Sequence, residues 1–228
     1  MKALLYGSGR LGEQVLHLVS THFADRYTVA GFIDDLRPAA EPVIGGYRTL
    51  GSLADVAAHP ATGPARAVIV PAIGYRDLPA RGRCLELARA LGYRLPALVH
   101  PRAWIEPGAT LGDGVIVLAG VLVDQAVQVG EFCYLDQGVK LGEECVLGAN
   151  NYLAAGVTLG GRARLGRDNF LGLDTTVTDR VTVGDGNFVN AKTLVYKDLG
   201  DRQRLIEFHE QTRLPFGTAE AASEVSLG

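Results

Sequence analysis

Seventeen aliphatic residues stand six apart in this chain, with no insertion between them. They run from Val99, Ile105, Leu111, Val117, Val123, Val129, Leu135, Leu141 and Leu147 through Leu153, Leu159, Leu165, Leu171, Val177, Val183 and Val189 to Val195. The residue two before each is mostly small, as at Ala103, Ala109, Val115, Val121, Val127, Cys133, Val139 and Cys145. Gly often follows, as at Gly112, Gly130, Gly142, Gly148, Gly160, Gly166 and Gly184. A period of six alternates sides of an α-helix and leaves no continuous apolar stripe, so a helical reading fails. Six residues instead make one short strand and a corner, and three such faces close the triangular coil of a parallel β-helix. The large aliphatic fills the interior, the small residue completes it, and Gly is expected to ease the turn. At eighteen residues per coil the run makes about five and a half coils. Stability then accumulates along the stack, because each coil covers its neighbours.

The first 97 residues differ in kind. Lys2–Tyr6 reads as a strand, Glu13–Val19 as a helix, Val29–Ile33 as a second strand, Ala67–Val70 as a third, and 85–90 as helical. Alternating strand and helix predicts a small open α/β domain with a parallel sheet. Gly7-Ser-Gly9-Arg10-Leu-Gly12 follows the first strand and opens the first helix, and Asp34-Asp35 close the second strand about twenty residues on. Such a glycine turn brings backbone N–H groups and a helix N-terminus to phosphate oxygens; a tight turn holding no ligand is the alternative. A sheet of three or four strands is half of a full dinucleotide fold, which favours a smaller nucleotide over NAD.

Composition narrows the class. Net charge is −3, with signs interspersed, which argues against a nucleic-acid surface. No apolar stretch is long enough to span a bilayer, and MKALLYGSGRLGE reads as strand and turn, not as a leader. Cys84, Cys133 and Cys145 lack zinc spacing, and the latter two fall on small inward repeat positions. The expectation is a cytoplasmic protein without metal, membrane or nucleic-acid partner.

GSGRLG, Gly31-Phe-Ile-Asp-Asp35, and Leu98-Val-His-Pro101 leading into the repeats together resemble the sialic acid O-acetyltransferase family, over about residues 1–199. That family includes UDP-4-amino-sugar and GDP-perosamine N-acetyltransferases. The resemblance implies a Rossmann-like nucleotide-sugar domain (1–97), a left-handed parallel β-helix (98–199), and a C-terminal helix and tail (200–228). It further implies a homotrimer, with acetyl-CoA as donor and the reacting sugar held between neighbouring β-helices. Gly7, Gly9, Arg10, Gly12, Asp34, Asp35, Gly74 and Tyr152 are then the expected substrate contacts. Gly156, Gly160, Asn190 and Lys192 are the expected cofactor contacts.

The family's chemistry lies in a stretch reading Asn-x-Gly, His-Asp-Cys-x-Ile-Gly and His-x-x-Pro-Gly. Here that stretch reads Asp136-Gln-Gly138, Glu143-Glu144-Cys145-Val-Leu-Gly148 and Tyr152-Leu-Ala-Ala-Gly156. Glu143 and Tyr152 stand where the family has histidines. A carboxylate serves as general base when burial or a like charge raises its pKa, which nominates Glu143 with Glu144 as the catalytic pair; charged residues on an exposed corner are the alternative. Tyr152 is either a substrate contact or inter-subunit packing. The cofactor turn Gly-x-Pro-Ala has no counterpart after Lys197-Asp198-Leu199. Instead 201–214 reads as a polar helix carrying Leu205, Ile206, Phe208 and a surface His209, closed by Pro215. Two functions follow: an acyltransferase acting on an amino or hydroxyl group of a nucleotide-linked sugar, or a binding or regulatory trimer that lost transfer. Carbonic anhydrase chemistry on this fold needs three metal-binding histidines, which the coils do not supply.

Overall fold

The computed structural model describes residues 1–206. Its N-terminal region runs β1 (Lys2–Tyr6), α1 (Arg10–His22), β2 (Thr28–Ile33), α2 (Leu53–Ala58), β3 (Ala67–Pro71) and α3 (Leu78–Ala90). The three strands form a parallel sheet in the order β2-β1-β3. Parallel bridges from Phe32 to Thr49 and from Val68 to Arg94 widen it at both edges. Every residue of β3 is buried, as a parallel strand covered on both faces requires. Sequence reading placed both ends of α1 and the start of α3 too tightly and missed α2. The signal for α2 was present: Ser52 and Asp55 form a reciprocal capping box.

From Leu98 the chain winds as a left-handed parallel β-helix of two-residue strands. One face runs from Leu98–Val99 to Arg204–Leu205, a second from Trp104–Ile105 to Leu194–Val195, and a third from Thr110–Leu111 to Thr182–Val183. Register is eighteen residues per coil, so Tyr134 lies beside Ile116 and Tyr152. The hexad aliphatics and the small residues two before them form one interior cluster. Cys133 and Cys145 are part of it, their thiols donating to the carbonyls of Gly148 (3.2 Å) and Gly160 (3.0 Å).

The glycines after the aliphatics do not ease the turn by positive φ, as expected above. The left-handed residue at each corner comes three positions after the aliphatic, and is often not Gly: Ala126, Phe132, Glu144, Asn150, Arg162, Asp168, Asp174, Arg180 and Lys192. Gly at the first position answers to the next coil. A Cβ on Gly112 would sit 2.6 Å from the nitrogen of Glu131, and one on Gly130 2.6 Å from the carbonyl carbon of Gly148. Close approach between coils, not backbone freedom, selects it.

The end of the solenoid also departs from the sequence reading. Leu199 bridges Val183, and Arg204–Leu205 pair with Phe188–Val189, sixteen residues away instead of eighteen. The last coil has lost two residues, which hid the continuation of the repeat. Over 201–206 the expected helix is therefore strand and bend; the remainder of that expected helix, with Phe208, His209 and Pro215, lies outside the described residues.

The N-terminal region docks on the first solenoid face. Leu11, Val15, Leu16 and Leu18 of α1 share one buried cluster with Leu98, Ile116, Leu118, Tyr134, Tyr152 and Ala154. α3 meets the corner between the third and first faces. There the fully buried Arg81 donates from Nε to the Ile73 carbonyl (3.0 Å) and from a terminal nitrogen to Asn150 Oδ1. Asn150 Nδ2 in turn donates to the Leu78 carbonyl and to Asp168 Oδ1, both at 2.6 Å. Burial lowers the Arg81 pKa to about 10, against the opposing charge of Asp168.

Candidate functional site

In a β2-β1-β3 sheet the strand order reverses between β1 and β3, and ligands bind outside the carboxyl ends of strands at such a reversal. The glycines there divide into two kinds. Gly7 has φ +116°, and a Cβ on it would lie 2.5 Å from the Ala72 carbonyl oxygen; a Cβ on Gly12 would lie 2.5 Å from that of Gly7. These two glycines are demanded by the fold itself. Gly9, after β1, and Gly74, after β3, have nothing within 4 Å of a notional Cβ. Gly9 is the N-cap of α1 and supplies no side-chain acceptor, so the first N–H groups of the helix face open space beside it. Arg10 is exposed at the same helix start.

Asp34 and Asp35 are engaged within the chain. Asp34 accepts from the Ser8 hydroxyl and from the Leu36 backbone N–H (3.0 Å), so it ties the glycine turn to the end of β2. Asp35 accepts from the Tyr6 hydroxyl and from the Leu53 backbone N–H (2.9 Å), at the start of α2. Burial, with the Asp35 hydrogen bond, drives the Tyr6 hydroxyl pKa well up.

The floor of the crevice is aromatic. Outward residues of the first face repeat in register as Tyr134, Tyr152, Phe170 and Phe188, with ring centroids 4.7, 5.8 and 4.9 Å apart in turn. Tyr75, next to Gly74, leans onto this ladder, 4.8 Å from Tyr152 and 4.3 Å from Phe170. The Tyr134 hydroxyl meets Gln14 of α1 at 3.3 Å. Tyr152 is thus placed by packing inside its own chain, beneath the N-terminal region. It is only 7% exposed, and burial raises its hydroxyl pKa.

Glu143 and Glu144 stand elsewhere. They occupy the corner between the second and third faces, the vertex opposite the face that the N-terminal region covers. Glu143 is half-buried, with its carboxylate over Gly161 of the next coil. Glu144 pairs with Arg162 at 2.9 Å, and that hydrogen bond lowers its pKa. The chain therefore does not itself bring this pair to the crevice. The expected cofactor residues also divide: Gly160 lies on the Glu143 corner, whereas Gly156, Asn190 and Lys192 lie on the corner between the first and second faces. That same corner carries Asp136, which sequence reading noted but gave no role. Arg81 was missed as well; an arginine within α3 gives no sign that an asparagine 69 residues on will bury it.

Among the described residues no cluster of three or more His, Cys, Asp or Glu is placed to hold a metal ion. None of the described helices is long and apolar enough to cross a membrane.

Comparison with known proteins agrees with this architecture. The family described as the hexapeptide repeat of succinyl-transferase matches residues 102–125, 129–155 and 138–167. No curated protein sequence matches the chain. Solved structures do. The acetyltransferase domain of PglB from Neisseria gonorrhoeae is 25% identical, over 89% of this chain and 95% of that one, with a TM-score of 0.76. The same domain in complex with acetyl coenzyme A is 26% identical over 89% and 94%, TM-score 0.63. A histidine-to-asparagine variant of perosamine N-acetyltransferase from Caulobacter crescentus, in complex with CoA and GDP-perosamine, is 28% identical over 90% and 92%, TM-score 0.78. Residues 102–125 and 129–167 of the solenoid thus match a hexapeptide-repeat model, and the solved structures named here, similar over nine-tenths of the chain, are sugar N-acetyltransferases.

Proposed function

We propose that this hexapeptide-repeat protein transfers an acetyl group from acetyl-CoA to an amino or hydroxyl group of a nucleotide-linked sugar. One observation carries the reading. The two open glycines, Gly9 and Gly74, lie at the strand reversal directly above the solenoid, in a chain that matches structures holding CoA and a nucleotide sugar along nine-tenths of its length. The diphosphate sits against the α1 N-terminus beside Gly9 and Arg10, and Gly74 leaves room for the sugar. Asp34 and Asp35 shape the pocket that receives the base.

The position of Glu143 calls for a second copy. The second solenoid face exposes Trp104 (61%), Leu122 (47%) and Leu194 (46%). Turning this face to a threefold axis covers those side chains and closes a ring by repeated head-to-tail contacts. It also brings the Glu143 corner of one chain against the Gly156–Asn190–Lys192 corner of the next, where acetyl-CoA lies. The acceptor attacks the thioester carbonyl, a C–N or C–O bond forms, and the C–S bond breaks with coenzyme A leaving. Glu143 of the neighbouring copy takes a proton as the tetrahedral adduct collapses. Glu144, ion-paired and acidic, serves the corner instead of the chemistry.

The test is Glu143→Gln. Transfer falls by about a hundredfold or more while sugar-nucleotide binding is retained. An unchanged kcat removes Glu143 from the mechanism, and a monomer in sedimentation removes the shared site.

A further inference from the structure

The turn between β3 and α3, residues 72–77, walls one side of the crevice and carries both Gly74 and Tyr75. Its first residue belongs to the sheet, the Ala72 N–H donating to the Tyr6 carbonyl at 2.9 Å. Its last caps α3, Asp77 Oδ1 accepting from the Ala80 N–H at 2.8 Å. Between those ends the turn is held from the solenoid. The Tyr75 ring lies on Tyr152 and Phe170. The Ile73 carbonyl accepts from Arg81 Nε, and a terminal nitrogen of the same guanidinium reaches Asn150 Oδ1. Asn150 Nδ2 then donates to the carbonyl of Leu78, where α3 begins. One corner residue thus grips the turn on both sides, directly at Leu78 and through Arg81 at Ile73. Asp168, one coil on, accepts from the same Nδ2 at 2.6 Å and faces the arginine with a countercharge.

Sequence and backbone are both shaped to this contact. Asn150 has φ +61°, in the left-handed region where asparagine is among the best tolerated residues. Gly82 of α3 admits it, since a Cβ there would lie 3.0 Å from Asn150 Nδ2. Arg81 and Asn150 are 1% and 0% exposed. Burying a cation is a poor way to gain stability, because apolar side chains of similar volume often hold two surfaces together as well or better. What a planar guanidinium adds is direction, its fork fixing two acceptors at once. We infer that Arg81 and Asn150 are positioning residues, through which the solenoid sets the β3–α3 turn and with it the width of the nucleotide-sugar crevice. This rests on the nucleotide-sugar reading above and adds the means by which the two regions make one site. The Gly9 turn has its own support within the α/β region, where Ser8 donates to Asp34.

Amide hydrogen exchange and calorimetric titration on the full chain test this with Arg81→Lys and Asn150→Gly. Lysine keeps the charge but not the fork; glycine keeps the left-handed corner and removes the amide. Both variants are measured below their first thermal transition. Exchange is expected to quicken about tenfold or more across 73–78 in each variant, with 8–12 and the solenoid coils as protected as in the wild type. Affinity for whichever of GDP and UDP the wild type binds is expected to fall about tenfold alongside. Three results overturn the assignment: unchanged exchange at 73–78, quickening spread over the whole α/β region, or unchanged affinity despite a quickened turn. The second would make the pair a general fastening between the regions. Failure of the wild type to bind either GDP or UDP removes the nucleotide reading alone, and exchange at 73–78 still decides whether the pair sets the turn.

Discussion

A Cβ added to Gly130 or Gly112 in the solenoid would run into backbone 2.6 Å away, whereas one added to Gly9 or Gly74 in the N-terminal region meets nothing within 4 Å. Both regions are rich in the same residue, yet it answers to different constraints. In the coils, small residues let one turn of backbone lie against the next, so the repeat is filled by itself and has no room for a ligand inside. In the α/β region, Gly7 and Gly12 are used up in the same way, packing a helix onto a strand end, and Gly9 and Gly74 are left over. Glycine that packs against nothing at the carboxyl edge of the sheet leaves open space at the strand reversal.

Substitutions should separate these uses cleanly, and the largest effect is expected in the coils. Gly148→Val places a branched side chain where even a Cβ lies 2.9 Å from Gly166. We expect it to cost more than about 4 kcal/mol, read as loss of the cooperative urea transition. Arg81→Ala comes next, at about 3 kcal/mol, because it removes the donor to the Ile73 carbonyl and to Asn150 Oδ1 and leaves those two oxygens unpartnered. It should also let the N-terminal region melt apart from the solenoid in calorimetry. Gly9→Val should change stability by less than about 1 kcal/mol, since Gly9 has ordinary extended φ and only cap preference is lost. It should nevertheless weaken nucleotide binding by about tenfold. Equal affinities would make the turn purely structural.

The smallest effect concerns the contact where α1 meets the first coil. His100 Nε2 lies 3.0 Å from His22 Nε2, and its Nδ1 accepts from the Arg102 N–H. With Nδ1 accepting, the His100 proton sits on Nε2 and is donated toward His22 Nε2. Desolvation, then His22 and Arg102, lower the His100 pKa. The folded protein thus binds this proton less readily than the unfolded chain, and stability rises with pH across the window below about 6.5. Acidification from pH 7 to 5 should lower the thermal midpoint, and His22→Leu should flatten that dependence. A midpoint equally pH-dependent in the variant would assign the effect to other groups.

The solenoid was legible because its determinants are local. Each hexad repeats the same demand, and the eye loses it only where the last coil drops two residues and Leu199 and Leu205 continue the series out of phase. The glycine turn was equally local. What could not be read is which residues meet across the junction. Arg81 with Asn150, Tyr134 with Gln14, and Tyr75 on Phe170 are separated by 69, 120 and 95 residues, and no short-range pattern couples them. For the same reason the stacking of Tyr152 between Tyr134 and Phe170, beneath the N-terminal region, could not be read from its position in the repeat.

The central proposal is that the solenoid serves acyl transfer from acetyl-CoA. Titration of acetyl-CoA into the purified protein tests it most directly. The account predicts saturable binding at one acetyl-CoA per chain, lost when Lys192 and Asn190 are both replaced by bulkier residues. Absence of binding at millimolar acetyl-CoA would contradict it, and would leave a nucleotide-binding scaffold in place of a transferase.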